Sequence, residues 1–586
     1  MNLLNNPWMP VRDAQGQRHW ITPAQLSDPQ WIAFDADRPD FNGALAQFAI
    51  GLLQTTTPVG NSLAWSALHK APPDATTLQR WFAPVVTAFE LDGDGPRFMQ
   101  DRYLKPSVKN LRDDNSGGIE SVQQMLIDCA GEGEKADNNT DHFNKRKASN
   151  YGLCECCCAA ALYALQTNAP SSGRGYLVSI RGGGPLTTLV KSAAELTLWH
   201  DLWINVMDRP LFDGRPGRRE ESDLRFTFPW LSDLRFLQPA GIATLHFEGP
   251  KGGPKPTEDE KPRLQPSQVT PSHAYWGMPR RIKLDFESVS VGVCGVCGRQ
   301  AGRLTRSYLI KNYGLNYKGS WTHPLSPYYE TKDGWLPVHP QADGLGYRHW
   351  LAWVLGASTD KKSTRVAQVV ERALQLPHRQ TGGTLRLWAF GYDMDKMKAR
   401  CWYESTMPLY GLADCDRDTR QGVQAEVGGW LTAAELACWS LRDAVKTAWF
   451  GANAPREFGH VDASFWGATE APFYRQLQTL IEAARTGTEP APLPAREAWH
   501  ATLVRCALRL FDDTFVGAGA IERQNPHRTA LAHRQLRRNL HGPKLRQALG
   551  LPTDAPAAKP ARKSAKSAPG AKPTNPPKPP GNQEPT

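Results

Sequence analysis

"CGVCGRQ", residues 294–300, places two cysteines three positions apart, each followed by a glycine. In this C-x2-C spacing Cys294 and Cys297 can turn their thiols toward one cation, while Gly295 and Gly298 let the backbone curl around the sulfurs. One such pair supplies two ligands, and a tetrahedral site needs four. The complement lies upstream in "LCECCCAAAL", residues 153–162, where Cys154 and Cys157 repeat the spacing, Cys157 standing 137 positions before Cys294. The two pairs predict a fold that brings these segments together around a structural zinc. Four thiolates leave no open coordination position, so such a metal staples loops and activates no water. Cys156 and Cys158 read as small buried hydrophobes, although either could replace Cys157 as a ligand. Cys129, Cys401, Cys415, Cys438 and Cys506 stand alone and read as core residues.

The chain around these clusters has 586 residues, enough for two or three domains, and its 40% apolar content with 20 tryptophans supplies a large core. Eleven cysteines, five of them between Cys129 and Cys158, do not resemble a disulfide framework and point to a reducing, cytoplasmic setting. No apolar run approaches the ~18 residues of a membrane span. The opening "MNLLNNPWMPV" lacks the basic and apolar regions of a signal peptide. Net charge is +11, of which the tail from Thr553 contributes +4 through six Lys or Arg against two acids. A moderate positive balance fits a nucleic-acid partner.

Residues 1–404 mix short β-rich runs ("GIATLHFEG", "GTLRLWAFGY", "RGGGPLTTLV") with helical stretches ("NGALAQFAIGLLQT", "YRHWLAWVLG") and long Gly/Pro-rich loops such as "EGPKGGPKPTEDEKPRLQPSQ", read as a mobile insertion. Residues 405–552 turn helical. Thr432 and Glu435 have capping-box spacing, and Ala434, Cys438, Leu441, Val445 and Ala448 then form one stripe. Phe473, Leu477, Leu480 and Ala484 form another, as do Trp499, Leu503, Cys506 and Leu510, and then Ala532, Leu536 and Leu540. Arg528, Arg534, Arg537 and Arg538 flank the last stripe as a solvated face or a phosphate-contacting one. The fold class is therefore α+β: a large mixed N-terminal domain with long loops and the zinc site, then a C-terminal four-helix bundle. Residues 553–586, rich in Pro, Lys and Ala, read as a disordered tail.

No GxxxxGK[ST], HExxH or GxSxG motif is present. "RGGGP" at 181–185 reads as a backbone bend, and His323 in "THPLSP" as a hydrogen-bonded structural histidine. With no carboxylate or histidine cluster to support a nuclease, the sequence favours a recognition subunit over an enzyme.

The order of motifs resembles the CasA family, the large subunit of the type I-E CRISPR Cascade complex. It rests on "NLLNNPWMPV", "RFMQ" at 97–100, "HFNKRKASNYGLCECC", "IRGGGPLTTLV", "CGVCG" followed by "GSWTHPLSP", and "FGYDMDKMKAR", covering nearly all the chain before the tail. The resemblance implies a non-catalytic protein that reads the protospacer-adjacent motif on double-stranded DNA, starts strand separation and R-loop formation, and recruits a helicase-nuclease for antiviral defence. Its implied partners are target DNA, the crRNA 5′ handle, the other Cascade subunits and that effector, with no membrane.

Carried over by motif, Phe143 is the aromatic of the family's long loop, with Lys145, Arg146 and Lys147 as its phosphate-binding edge. Gly173 and Gly175 of "SSGRGY" would form the glycine loop that approaches the minor groove, where Arg174 departs from the family's pattern. Lys311 or Asn312 stands at the family's groove-contacting lysine. Lys396, with Met397 as an apolar wedge, stands where the family has a strand-splitting glutamine. The alternative reading is a zinc-stapled RNA-binding scaffold subunit of a ribonucleoprotein that reads no DNA motif.

Overall fold

Helix α1 (Pro39–Thr56) lies at the centre of the N-terminal part. Its residues from Asp40 to Gln54 are buried apart from Asn42, and a helix apolar on nearly every face belongs inside a protein. Pro39 at the first helical position and Asp40 in the first turn suit a helix start. Phe48 makes edge-to-face contacts with Trp8, Phe89, Phe98, Tyr163 and Trp276, its ring centroid 5.1–5.7 Å from theirs. Neighbours pack directly on the backbone where side chains are missing. A Cβ at Gly43 would lie 2.7 Å from the Phe390 ring, and one at Gly51 would lie 2.8 Å from Cβ of Tyr275.

The computed structural model describes residues 1–107, 115–129, 151–171, 176–192, 197–215, 217, 223–237, 263–317, 321–332, 334–342, 344–356, 358–359, 362–376, 385–395, 398–413, 415–450, 458–487, 492–517 and 525–553. The strand expected in "GIATLHFEG", most of the insertion that follows it, and the tail from residue 554 lie outside these residues.

The strands are β1 (Met9–Asp13), β2 (Arg18–Ile21), β3 (Trp31–Phe34), β4 (Lys105–Pro106), β5 (Ser116–Ser121), β6 (Leu153–Cys154), β7 (Thr187–Lys191) and β8 (Arg281–Leu284). They continue with β9 (Ser290–Val293), β10 (Gln300–Thr305), β11 (Ser307–Lys311), β12 (Tyr328–Thr331), β13 (Gly334–Pro337), β14 (Ser358–Thr359), β15 (Lys362–Arg365), β16 (Leu385–Asp395) and β17 (Lys398–Leu409). Their sheets have the orders β2-β1-β3, β4-β5-β11-β8, β6-β10-β9, β13-β12-β15-β14 and β17-β16-β7. The α+β character is thus observed directly. The β16–β17 hairpin runs in register from Leu385 opposite Leu409 to Asp393 opposite Cys401, where a register shift begins. Residues 398–409 form one strand, and the helical part follows.

That part contains α2 (Arg417–Phe450), α3 (Gly459–Thr486), α4 (Pro492–Arg509) and α5 (Pro526–Leu540). Helix α2 packs against the other three, and the predicted stripes face inward: Ala434, Cys438, Leu441, Phe473, Leu477, Trp499, Leu503, Ala532 and Leu536 are all buried. Arg528 is neither a solvated nor a phosphate-facing residue. Its Nε and Nη2 donate to the carbonyls of Ala448 (3.0 Å) and Trp449 (2.8 Å), closing the C-terminus of α2. Tyr347 links the helices to the preceding sheets, with its ring stacked 4.4 Å from Phe473 and its hydroxyl 2.8 Å from Thr469 Oγ1.

Two local expectations are corrected. Thr432 does not cap a helix: α2 starts fifteen residues earlier, and the Thr432 hydroxyl donates to the Gly428 carbonyl one turn back. Cys401 is exposed, not core: it lies opposite Asp393 towards the hairpin tip, beyond the stretch of the strand where Met407 and Leu409 are buried.

Candidate metal centre and nucleic-acid interface

The two cysteine pairs meet. Strands β9 and β10 form a hairpin whose turn is the 294–299 knuckle, and β6 adds to it with Cys154 opposite Leu304. Cys154 precedes the first residue of the helix Glu155–Asn168, and Cys157 lies in that helix's first turn. The four sulfurs of Cys154, Cys157, Cys294 and Cys297 lie within 4.8 Å of one another, with three of the residues buried and Cys297 half-buried. Cys154 Sγ and Cys297 Sγ are 3.8 Å apart. A tetrahedral ion with metal–sulfur bonds of about 2.3 Å requires sulfur–sulfur edges of about 3.8 Å, so the donor set and its spacing fit a metal ion.

The backbone supports this geometry. The Cys154 amide donates to Cys294 Sγ at 3.4 Å. The Gly298 amide donates to the Cys294 carbonyl at 3.1 Å, and the Gly295 amide to the Gly152 carbonyl at 2.8 Å. Gly298 has φ +66°, the left-handed region that glycine tolerates. Gly295 is required by proximity, since a Cβ there would lie 2.5 Å from the Tyr151 ring. Hydrogen bonds from the thiols of Cys154, Cys157 and Cys297 lower the pKa of Cys294 below the ordinary thiol range. Cys158 donates its thiol to the Leu153 carbonyl, and burial pushes its pKa well up, so it stays a protonated core residue. Cys156 is outside the quartet. Its hydrogen bond with Cys154, and then Arg299, lower its pKa.

The residues carried over by resemblance divide sharply. Phe143, Lys145, Arg146, Lys147, Gly173, Arg174, Gly175, Lys396 and Met397 lie outside the described residues. Lys311 and Asn312 are described: Lys311 ends β11 opposite Arg281, and both are half-buried. The stems that carry the other segments are also in place. The 130–150 segment leaves beside Asp128, which receives Arg38 Nη2 at 2.8 Å, and returns at Gly152 beside the knuckle. Arg38 also forks onto Asp40 (2.9 and 3.0 Å), and Asp40 accepts the hydroxyl of Tyr392 at 2.7 Å. The start of α1 thus holds both the stem of that segment and the β16–β17 hairpin. Nearer the hairpin tip, Arg400 grips Asp393 with two bonds of 2.8 and 2.9 Å.

Arg280 performs the same service for "SSGRGY". Its Nη1 donates to the Leu177 carbonyl at 2.9 Å and its Nη2 to the Pro170 carbonyl, one on each side of residues 172–175, and it lies 4.9 Å from the Tyr176 ring centre. Gln166 fixes Arg280 through both its amide and its carbonyl (3.0 and 2.9 Å). Arg281, the next residue, pairs with Lys311. Two consecutive arginines therefore bring the stems of the glycine segment beside the end of β11. Sequence reasoning missed Arg38, Asp40 and Arg280. The only hint was charge next to otherwise apolar runs, "RPDFNGALAQF" and "MPRRIKLDF".

The sequence model of the family described as CRISPR-associated protein Cse1 matches residues 2–510. The fold is similar to that of Thermobifida fusca Cse1 (TM-score 0.61, 16% identity, 94% of this chain and 99% of that one). It is also similar to Cse1 from Acidimicrobium ferrooxidans (TM-score 0.59, 15% identity, 94% and 98%). A third similar chain comes from a structure titled "CRISPR RNA-guided surveillance complex" (TM-score 0.58, 15% identity, 92% and 99%). With the family matched across most of its length, and in agreement with the CasA resemblance of its motifs, this chain belongs to the CRISPR-associated Cse1 family.

Proposed function

We propose that the chain is the non-catalytic large subunit of a type I-E RNA-guided surveillance complex, reading the protospacer-adjacent motif in duplex DNA, opening the duplex and recruiting the helicase-nuclease. The observation that carries this reading is the Cse1 family match over residues 2–510. The similar chain from an RNA-guided surveillance complex supports crRNA and the other subunits as partners. The cysteine quartet holds zinc as a closed structural ion, supported by its all-sulfur donor set.

The chain up to the end of β17, at Leu409 and not at residue 404, forms the DNA-contacting part, and helices α2–α5 within 405–552 form a four-helix bundle. Phe143 and Lys145–Lys147 engage the target near the crRNA handle. Gly173, Arg174 and Gly175 approach the minor groove together with Lys311 or Asn312, and Lys396 with Met397 separates the strands. The shared anchoring by Arg280 and Arg281 supports a joint role for the glycine segment and the end of β11.

The test replaces Lys145, Arg146 and Lys147 together by neutral residues and titrates duplex binding of the assembled complex across a salt series. If the three contact phosphate, the slope of log affinity against log salt falls by up to about 3, with losses independent of sequence. An unchanged slope removes these residues from the interface.

A further inference from the structure

Among the described residues, Arg181 and Arg215, like Arg280, are buried without a carboxylate partner. Arg181 and Arg215 are 2% and 7% exposed. Arg181 donates through Nη1 to Thr187 Oγ1 (2.9 Å) and Ser326 Oγ (3.0 Å), and through Nη2 to Gln47 Oε1, all neutral oxygens. Arg215 donates through Nη2 to the carbonyl of Thr322 and lies 5.3 Å from the Phe212 ring centre. Its Nε and Nη1 are buried and have no partner. The titratable groups that act on both guanidinia are Tyr275 and Tyr328, with Tyr163 acting on Arg181 as well.

These neighbours supply no negative charge. Burial raises the pKa of Tyr275 and Tyr328 above the ordinary phenol value, so both are neutral. His323, 5.0 Å from the Tyr275 ring, is held neutral by burial and by the two arginines. Burial also holds both guanidinia below their usual range, Arg181 at about 10 and therefore still charged at neutral pH. Leaving such charges uncompensated inside a protein costs several kcal/mol each. The unsatisfied groups also agree in kind. Arg215 Nε–H and Nη1–H are donors only, and the Tyr275 hydroxyl, also buried without a partner, has a hydrogen to give. What they lack is an acceptor carrying negative charge.

We propose that Arg215 and Tyr275, which both pack on the Phe212 ring (5.3 Å and 6.4 Å from its centre), form an internal site for a small inorganic anion that serves as counterion to the two guanidinia. Thr322, the acceptor of Arg215, lines a cavity of about 790 Å³ together with His323, Ser326, Tyr328 and Glu371; Arg215 and Tyr275 lie behind that wall. The burial of Arg215 selects chloride or a free oxyanion over the phosphate of a polymer.

The test uses the full chain in two ways. Crystals soaked in bromide are expected to show an anomalous peak in contact with Arg215 Nε and Tyr275 Oη; no peak there, or a water in its place, overturns the proposal. Thermal unfolding is then followed while chloride or phosphate replaces gluconate at constant ionic strength. The midpoint is expected to rise saturably, with an apparent affinity about tenfold weaker in Tyr275→Phe, the loss of one hydrogen bond, and no response in Arg215→Met. An identical response in wild type and Tyr275→Phe would mean adventitious surface ions only and overturns the site. Should Arg215→Met fail to fold, the bromide map and Tyr275→Phe still decide.

Discussion

Replacing Cys297 by serine probes the metal staple at its most accessible member. Cys297 is the half-buried one of the four, and its Sγ forms the 3.8 Å edge with Cys154. Structural zinc in small domains contributes roughly 10–16 kcal/mol of apparent binding free energy at neutral pH, so one thiolate of four accounts for about 3–4 kcal/mol, or 10²–10³ in affinity. Apart from the ion, the knuckle hairpin is held to the upstream segment by two β6–β10 residue pairs, the Gly295–Gly152 and Cys154–Cys294 hydrogen bonds, the Arg303–Glu155 ion pair and the packing of Tyr151 on Gly295. Losing the ion should therefore release these amides.

The assay combines metal content per chain after dialysis against a chelator with hydrogen exchange at the amides of Cys154, Gly295 and Gly298. Wild type and Cys156→Ser are expected to retain one ion per chain. Cys297→Ser is expected to lose it and to exchange these amides at least about 10²-fold faster. Wild type purified with no bound metal, or Cys297→Ser retaining both ion and protection, would refute the staple.

His273 tests burial through pH. Its ring contacts the Phe226 carbonyl (3.2 Å) and the Tyr317 hydroxyl (3.0 Å), and burial lowers its pKa from 6.5 to about 3. The unfolded chain thus takes up this proton first. The contribution is full above pH 6.5 and is lost as pH falls toward 3, by about 2 kcal/mol between pH 6.5 and 5.0. His69, lowered to about 4 mainly by burial, adds in the same direction. A urea midpoint that does not fall over that interval contradicts the neutral buried imidazoles. Arg280→Met should cost about 2–4 kcal/mol locally through the lost bonds to Pro170 and Leu177. Faster exchange of the Ser179 amide, which donates to the Ala169 carbonyl, would register it, and unchanged exchange would deny the clamp. In the assembled complex the same variant is expected to lose motif discrimination more than total affinity.

The features legible in the sequence are those whose physics is local. Ligand spacing named the four cysteines, the 3.6-residue period placed Leu441, Leu477, Leu503 and Leu536 inside, and the apolar run at 42–55 became the central helix. The start of α2 was not legible, because "RDTRQGVQAEVGGW" carries Gly422, Gly428 and Gly429 and has little helix propensity. Packing overrides it: Val423, Val427 and Trp430 are buried, and a Cβ at Gly429 would lie 2.7 Å from the Ala548 carbonyl. Nor does sequence distinguish Arg280, Arg181 and Arg215 from surface arginines, since their partners come from segments far away along the chain. The exposure of Cys401 reflects its place towards the hairpin tip, away from the packing that buries Met407 and Leu409, which the run of residues alone does not reveal.

The most direct measurement takes a crRNA-loaded complex, assembled with and without this chain, and presents it with target duplexes randomised beside the guide-matched sequence. Binding is predicted to depend on the adjacent motif only when the chain is present, with unpaired bases first appearing next to that motif. Equal motif preference in its absence, or binding indifferent to the motif in its presence, would contradict the proposed role.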